Sequence, residues 1–256
     1  MLIAKFIKPV HPLHKAVASK FKRLKVVENY NVVSWFAPWS ILAAGEASKM
    51  GLNNRYSFWE FSQWQNGIIS IIIISLFIIL LKTKNYPITL NKSNFNKPKE
   101  WVILISFYFL CWIFGWGYNN LTYGVLYFLC YLPISIGISL PYLISQDKTP
   151  DYISRRNIGI TSSVLFFISC IFGWLIDDPV LATASIVIFP FSVVLSVTTH
   201  VRHLQRTHIF PLFILMGFVT SRVGWFLFPV LVLFYFLRIY NYFVYKKVSP
   251  TFGVDH

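Results

Sequence analysis

The chain has 256 residues, of which 56% are hydrophobic, 19% aromatic and only 12% charged. Soluble domains carry about twice that charged fraction, so the composition excludes an ordinary soluble globular domain and predicts an integral membrane protein. The formal net charge of +14 is also found in proteins that bind nucleic acid. Here, however, the cations alternate with apolar runs instead of forming one patch, and we expect no nucleic-acid partner.

Lysine and arginine are concentrated in five short segments that are separated by long apolar stretches. The four connections that alternate with these basic segments hold only Lys49, Arg55 and Arg222. Cations that flank membrane helices stay preferentially on the cytoplasmic side, so this bias predicts that both termini are cytoplasmic. The five basic segments are residues 1–28, 82–100, 146–157, 200–208 and 238–247.

The apolar stretches are long enough to cross a bilayer, which requires about 20 residues of helix. The sequence therefore predicts an all-α, polytopic transmembrane helical bundle of about eight passes in a plasma membrane (in bacteria, the inner membrane). We expect a single transmembrane domain at 29–245, preceded by a basic segment at 1–28 and followed by a cytoplasmic tail at 246–256. The passes are predicted at residues 30–46, 64–81, 101–118, 121–145, 158–176, 180–199, 209–221 and 224–241.

The N-terminal segment has apolar residues at helical spacing, with lysines between them. Such a pattern is typical of an amphipathic helix that lies on a membrane surface, and we expect it on the inner leaflet. The apolar positions are Leu13, Val17, Phe21 and Leu24.

Three acidic residues bear on the prediction, one at the end of the first pass and two in a later turn. Glu46 ends the first predicted pass, and an intramembrane carboxylate is a functional candidate by default, but at the outer edge we expect it to be solvated. Asp177 and Asp178 precede Pro179 in a turn that also starts a helix, with acid near its positive end. Because the two aspartates are adjacent, we expect their side chains to diverge.

Residues 209–237 form one apolar run, interrupted only around Arg222. A single helix of that length would place the guanidinium near the middle of the membrane, where a charge is costly. A hairpin instead places Arg222 at the outer surface and keeps the C-terminal cations inside. We therefore predict a hairpin with a short first leg, with a re-entrant or tilted segment as the alternative.

Most of the nine tryptophans map to the outer half of the predicted passes. An interfacial aromatic belt is one interpretation. The other is an apolar pocket for a lipid tail or an aromatic ring, framed by helices that are kinked at proline. The candidate residues for that pocket are Trp112, Trp116, Trp174 and Trp225.

The densest polar segment connects the sixth and seventh predicted passes at residues 198–208 and holds three of the six histidines. On a helix, these histidines would fall near one face, and imidazole is a common ligand of zinc and iron. Six histidines are too few for the site of a membrane di-iron oxygenase, and we predict no metal. The sequence identifies no cofactor.

A second interpretation of the same segment is a cradle for an anion. Guanidinium groups bind phosphate or carboxylate bidentately, and a lipid headgroup would lie at this depth. Ordinary cytoplasmic anchors that touch lipid headgroups are the alternative. The candidate headgroup-binding residues are His200, Arg202, His203, Arg206 and His208, joined by Arg155, Arg156 and Lys148 from the neighbouring inner loop.

The order of these segments resembles the UbiA superfamily of membrane prenyltransferases. The resemblance lies in the inner loops 82–100 and 200–208, in Leu140-Pro141-Tyr142 and in Pro211. It implies a protein that binds an isoprenoid or transfers its prenyl group. That family holds magnesium and the prenyl diphosphate with paired Asp-rich motifs. Here residues 200–208 contain no acid and 82–100 contain only Glu100, so no magnesium site is implied and no catalytic residue is carried over.

The resulting functional prediction is a divergent UbiA-like protein that binds a lipid or isoprenoid, with the basic inner segment meeting its headgroup. No phosphate loop, nucleophile elbow or Cys-X-X-Cys motif is present, so the sequence leaves enzymatic activity open. The alternative is a non-catalytic accessory subunit of a larger membrane complex, with membrane proteins as partners. A transporter is less favoured, because no inverted repeat is visible.

Overall fold

The computed structural model describes residues 2–23, 32–83, 98–144, 152–198 and 200–246. These residues are almost entirely helical, and no β-strand occurs among them beyond one isolated bridge between Glu60 and Val223. The elements are α1 Leu2–Phe6, α2 Pro12–Lys22, α3 Val32–Asn53, α4 Trp64–Thr83, α5 Pro98–Trp116, α6 Leu121–Ser139, η1 Leu140–Leu143 (a 3-10 helix), α7 Tyr152–Leu175, α8 Pro179–Val197, α9 Val201–Arg222, η2 Gly224–Phe226 (also 3-10) and α10 Leu227–Tyr245.

Six of the described helices are long and apolar enough to cross a membrane, namely α4, α5, α6, α7, α8 and α10. The prediction of an all-helical, multi-pass membrane protein is therefore confirmed. Two further helices, α3 and α9, have 22 residues each but carry more polar side chains. In α3 these include Glu46 and Lys49, and α9 begins with the basic segment that starts at Arg202.

Several helix ends meet at one end of the bundle, which we call the Asp178 end. The guanidinium of Arg222, at the end of α9, donates to the carbonyl oxygen of Arg55, just after α3, at 2.7 Å. The hydroxyls of Ser48 and Tyr131 donate to the carboxylate of Asp178 at 2.8 and 2.9 Å. Since Asp178 lies in the turn between α7 and α8, these contacts bring the ends of α3, α7 and α9 together.

The opposite end, which we call the His200 end, gathers the beginnings of α7 and α9. The guanidinium of Arg155 donates to the carbonyl oxygen of His200 at 2.6 Å. A ring nitrogen of His208 lies 2.7 Å from the carbonyl oxygen of Pro141, in η1. Chain direction therefore alternates between the two ends from α6 through α9.

The N-terminal helices pack on α10 rather than standing apart from the bundle. The Tyr242 hydroxyl donates to the carbonyl oxygen of Ile7, and the ring centroids of His14 and Tyr242 lie 5.3 Å apart. Phe21 contacts Phe236 and its neighbours on α10. The buried face is thus centred on His14 and Phe21, while Leu13, which the sequence pattern placed on the apolar face, is 55% exposed. Leu24 and most of the predicted tail at 246–256 lie outside the described residues.

The predicted break near Arg222 is confirmed, but its details differ from the expectation. The first leg, α9, has 22 residues and is not short. Arg222 lies at the Asp178 end, but its side chain is only 1% exposed because the segment after α3 covers it. Its guanidinium contacts Arg55 and stacks on the Phe58 ring at 5.3 Å. In addition, the backbone N–H of Glu60 donates to the carbonyl oxygen of Arg222, and the backbone N–H of Gly224 donates to the carbonyl oxygen of Glu60.

Candidate functional site

The Arg/His segment does not form the loop that the sequence suggested; it forms the first turns of α9. His200 is the N-cap residue, and its ring nitrogen Nδ1 accepts the backbone N–H of Arg202 at 3.1 Å. Arg155, in the first turn of α7, is 2% exposed and donates to the His200 carbonyl oxygen. The structure therefore brings two separate basic segments into contact at the beginnings of two helices.

The described residues around this contact are predominantly cationic. Helix N-termini carry a partial positive charge, and neither α7 nor α9 has an acidic residue in its first turn. The His203 ring lies 6.1 Å from the His200 ring. His203 precedes the predicted pass at 209–221, and partial burial, followed by the charges of Arg206, His200 and Arg155, lowers the pKa of its imidazole. We call the group Arg155, Arg156, His200, Arg202, His203 and Arg206 the Arg/His cluster.

His208 points away from this cluster. It is 3% exposed, bonds the carbonyl oxygen of Pro141 and has its ring centroid 4.7 Å from that of Tyr142. It therefore fastens α9 to η1 instead of joining His200 and His203. Within the part of the chain that the structure describes, no three His, Cys, Asp or Glu residues lie close enough to hold a metal ion. Lys148 and most of loop 82–100 fall outside that part.

The four tryptophans proposed for an apolar pocket occupy three different places. Trp112 and Trp116 stack at 6.3 Å and are fully buried. Trp225 is buried against Gly67, where an added Cβ would lie 2.0 Å from its ring. Trp174 is 77% exposed and lies on the outer surface of the bundle. The structure thus brings Trp112 and Trp116 together and leaves the other two apart.

A polar cavity of about 490 Å³ opens at the Asp178 end, and it was not anticipated from the sequence. It lies between α3, α4 and the end of α5, and both charged and amide side chains line it. We call it the polar cavity; its polar lining residues are Glu46, Lys49, Asn53, Ser62, Gln63, Asn66, Ser70, Tyr118 and Asn119, and Trp116 also lines it.

Glu46 is the most buried charged residue of this cavity. The expectation that it ends the first pass and is solvated was wrong: α3 continues to Asn53 and Glu46 is only 9% exposed. The indole Nε1 of Trp225 donates to its Oε1 at 2.9 Å. A signal was available, because Glu46, Lys49 and Asn53 fall on one face of a continued helix.

Close backbone packing places Glu46 in the cavity. A Cβ added to Gly115 would lie 1.8 Å from the carbonyl oxygen of Leu42 and 3.1 Å from the backbone nitrogen of Glu46. Glycine therefore allows α3 and α5 to touch at this point, as small residues do between membrane helices. The contact fixes the face of α3 that carries Glu46 beside the end of α5.

The adjacent aspartates diverge, as predicted, and they have different roles. Asp177 forms an exposed ion pair with Arg55 at 2.8 Å. Asp178 is 5% exposed, and its Oδ1 accepts the backbone N–H groups of Val180 and Leu181 at the start of α8. Its other oxygen accepts hydroxyl groups from α3 and α6. Asp178 is thus saturated by donors inside the protein and serves the fold.

The comparisons with known proteins were made at the levels of family, sequence and structure. No protein-family model matches this chain. No match was found among curated proteins, and none among solved structures. The functional interpretation is therefore built on the geometry of this chain.

Proposed function

We propose that this protein is an eight-pass membrane protein that binds the anionic headgroup of a membrane lipid or isoprenoid at the Arg/His cluster. The observation that carries the proposal is the contact between the first turn of α7 and the cap of α9, where Arg155 donates to the carbonyl oxygen of His200. This contact gathers two helix N-termini and several cationic side chains in one place. An anion would relieve the repulsion among them.

The eight-pass arrangement rests on adding α3 and α9 to the six apolar helices. Each has 22 residues, which corresponds to about 33 Å of helix at about 1.5 Å per residue. That length spans the hydrocarbon core of about 30 Å, with the first turns of α9, which carry the Arg/His cluster, at the headgroup level. Both helices reach the Asp178 end, since Arg222 contacts Arg55 there. With the positive-inside rule, the His200 end and both termini are cytoplasmic, in a plasma or bacterial inner membrane.

The distribution of acids favours an anion at the His200 end. Four of the five carboxylates among the described residues, Glu46, Glu60, Asp177 and Asp178, lie at the Asp178 end, each by its contacts there. The fifth, Glu100, is in the first turn of α5. The guanidinium groups of Arg202 and Arg206 are exposed and able to form charge-assisted hydrogen bonds with phosphate. An adjacent apolar surface suits a lipid tail; its exposed members are Val197, Val201 and Phe210.

A UbiA-like organisation is part of this proposal. It is supported by the position of His200 and the first turns of α9, at the point where the sixth proposed pass is followed by the seventh. It is also supported by the contacts of Pro141 and Tyr142 with His208, which join two of the segments that carry the resemblance. Since the cluster offers basic side chains in place of carboxylates, we propose that it holds the headgroup directly.

The proposed orientation predicts that the two ends are labelled from opposite sides of the membrane. We expect cysteines introduced at Tyr56 and Tyr118, which are 80% and 85% exposed at the Asp178 end, to react with an impermeant maleimide from outside. Cysteines at Arg156 and Arg202 should react only from the cytoplasmic side. Cys170, the one partly accessible native cysteine, is replaced by serine in the background. Labelling of Tyr118→Cys and Arg202→Cys from the same side would contradict the eight-pass arrangement.

Headgroup binding predicts a loss of anionic lipid when the exposed guanidinium groups are removed. The double variant Arg202→Gln/Arg206→Gln should bind an anionic phospholipid at least about tenfold more weakly, because each lost charge-assisted hydrogen bond contributes about 1.5–3 kcal/mol and about 1.4 kcal/mol is a factor of ten. The measurement is lipid binding by native mass spectrometry of detergent-purified protein.

The control for that experiment is Arg55→Gln, which removes an exposed arginine at the opposite end and should leave anionic lipid binding unchanged. Equal loss in the control and in the double variant would show a general charge effect and contradict a specific headgroup site. A stable, stoichiometric protein partner on a native gel, together with unchanged lipid content, would instead support the alternative of an accessory subunit.

A further inference from the structure

Two ionisable side chains, one acidic and one basic, line the polar cavity without forming an ion pair with each other. Glu46 and Lys49 are one helical turn apart on α3, and both border the cavity. Neighbours at this spacing are close enough to interact on a helix surface, yet no ion pair joins them among the described residues. The cavity therefore offers a carboxyl group and an amino group that are not paired with each other.

The carboxylate is held by a group other than the lysine. Trp225 donates its indole N–H to one oxygen of Glu46 at 2.9 Å, and the described hydrogen bonds leave the second oxygen unused. Trp225 is itself 1% exposed and fixed against Gly67. A rigid donor thus orients the carboxylate while a ligand still has access to it.

The ammonium group of Lys49 lies at another wall of the cavity. Its Nζ is 3.1 Å from the position that a Cβ would take at Gly117, in the turn after α5. Gly117 has a φ angle of 80°, a conformation that glycine adopts without strain. The turn therefore passes close to the ammonium, and a side chain at Gly117 would crowd it.

The rest of the lining suits a ligand with N–H donors and oxygen acceptors. Carboxamide side chains present both a donor and an acceptor, and serine hydroxyls do the same. The polar cavity holds the four amides of Asn53, Gln63, Asn66 and Asn119, together with the hydroxyls of Ser62 and Ser70. Its volume of about 490 Å³ lies within the usual range for small-molecule sites, about 300–1,000 Å³.

We propose that the polar cavity binds a zwitterion, with a primary ammonium at Glu46 and a phosphate or carboxylate at Lys49. The headgroup of an ethanolamine phospholipid and a free amino acid share this chemistry. A quaternary ammonium lacks the N–H groups that Glu46 and the amides accept, so the site discriminates against choline. This site lies at the end of the bundle opposite the Arg/His cluster and is independent of the function proposed there.

The test measures binding of three probes to the full-length protein in phosphatidylcholine nanodiscs. They are O-phosphoethanolamine, glycine and a short-chain phosphatidylethanolamine, with phosphocholine as the quaternary analogue. We expect at least one primary-ammonium probe to bind, and phosphocholine to bind about tenfold more weakly or worse, because its charge-assisted N–H hydrogen bonds are missing. Binding of the lipid alone identifies a membrane source, and binding of the water-soluble probes identifies a free solute. Absence of binding by all three probes, or equal binding of phosphocholine, overturns the proposal.

Variants assign the binding to this cavity. Glu46→Gln retains an oxygen that can accept the Trp225 N–H, so the fold should persist, while affinity for the probe that binds falls about tenfold or more; Lys49→Gln should show a similar loss. The matched control is Asp177→Asn, an exposed carboxylate at the same end that pairs with Arg55 and is not part of the lining. Affinity unchanged in Glu46→Gln, or reduced equally in Asp177→Asn, overturns the assignment.

The variant Arg202→Gln/Arg206→Gln separates this proposal from the headgroup function. It should bind the zwitterion as the wild type does, whereas Glu46→Gln should retain anionic lipid. If binding at one of these two sites is refuted, the proposal for the other site is therefore unaffected.

Discussion

Replacing Gly115 with alanine should destabilise the protein by about 3 kcal/mol, the upper part of the usual range for overpacking. The added methyl group would lie 1.8 Å from the carbonyl oxygen of Leu42, and a backbone oxygen cannot move aside as a flexible side chain can. Helices α3 and α5 would have to separate at the point where they touch. For a chain of this size we expect the melting temperature in detergent to fall by roughly 6–12 °C.

The matched control is the same substitution at Gly217, inside α9. Nothing lies within 4 Å of a Cβ built there, so alanine meets no obstacle. Because glycine inside a helix is less favourable than alanine by about 0.5–1 kcal/mol, Gly217→Ala should melt at or slightly above the wild-type temperature. If Gly115→Ala and Gly217→Ala had the same melting temperature, the close contact between α3 and α5 would be refuted. The placement of Glu46 in the polar cavity would be refuted with it.

Replacing Asp178 with alanine should cost about 3 kcal/mol of stability. About 1 kcal/mol comes from the lost cap of α8, and about 1 kcal/mol or more from each hydroxyl left buried without its acceptor. These hydroxyls belong to Ser48 and Tyr131, which donate to Asp178 at 2.8 and 2.9 Å. The measurement is the melting temperature in detergent, monitored through the loss of helix content.

The neighbouring Asp177 provides the control for this stability measurement. Asp177 has the same side chain, but it is exposed and its partner is the exposed Arg55. Asp177 also has a φ angle of 56°, so asparagine, which tolerates this conformation, is the appropriate replacement. Asp177→Asn should change stability by less than about 1 kcal/mol, as exposed ion pairs usually do. A larger loss for Asp177→Asn than for Asp178→Ala would contradict the assignment of Asp178 as the central acceptor.

The sequence was sufficient for the features that depend on composition and local chemistry. Apolar runs located the membrane-capable helices, because their length and hydrophobicity determine whether they can cross lipid. The start of α8 at Pro179 followed from the acid and proline before it, since the capping interaction is local. The break after Arg222 followed from the cost of a charge in mid-membrane.

The sequence was insufficient where the outcome depends on which face of a helix packs. His200 and His203 stay together while His208 turns to Pro141, because packing of α9 against η1 selects a face that periodicity alone does not reveal. The amphipathic pattern of α2 placed Leu13 on the buried face of the helix, yet the residue that packs against α10 is His14. Glu46 was assigned to a helix end because hydropathy decreases there, whereas the burial of its carboxylate depends on Gly115, about seventy residues away.

The junction between α9 and α10 is fastened to the segment before α4 by main-chain groups. The amides of Trp59, Glu60 and Gly224 donate to the carbonyl oxygens of Ser221, Arg222 and Glu60 at 2.8–2.9 Å. Such bonds form with nearly any side chain, apart from proline, which lacks the donor. The main-chain pairing itself therefore does not dictate the side chains of Ser221 and Glu60. Exchange is restricted instead at the buried Arg222 and at Gly224, where an added Cβ would lie 2.7 Å from the Phe61 ring.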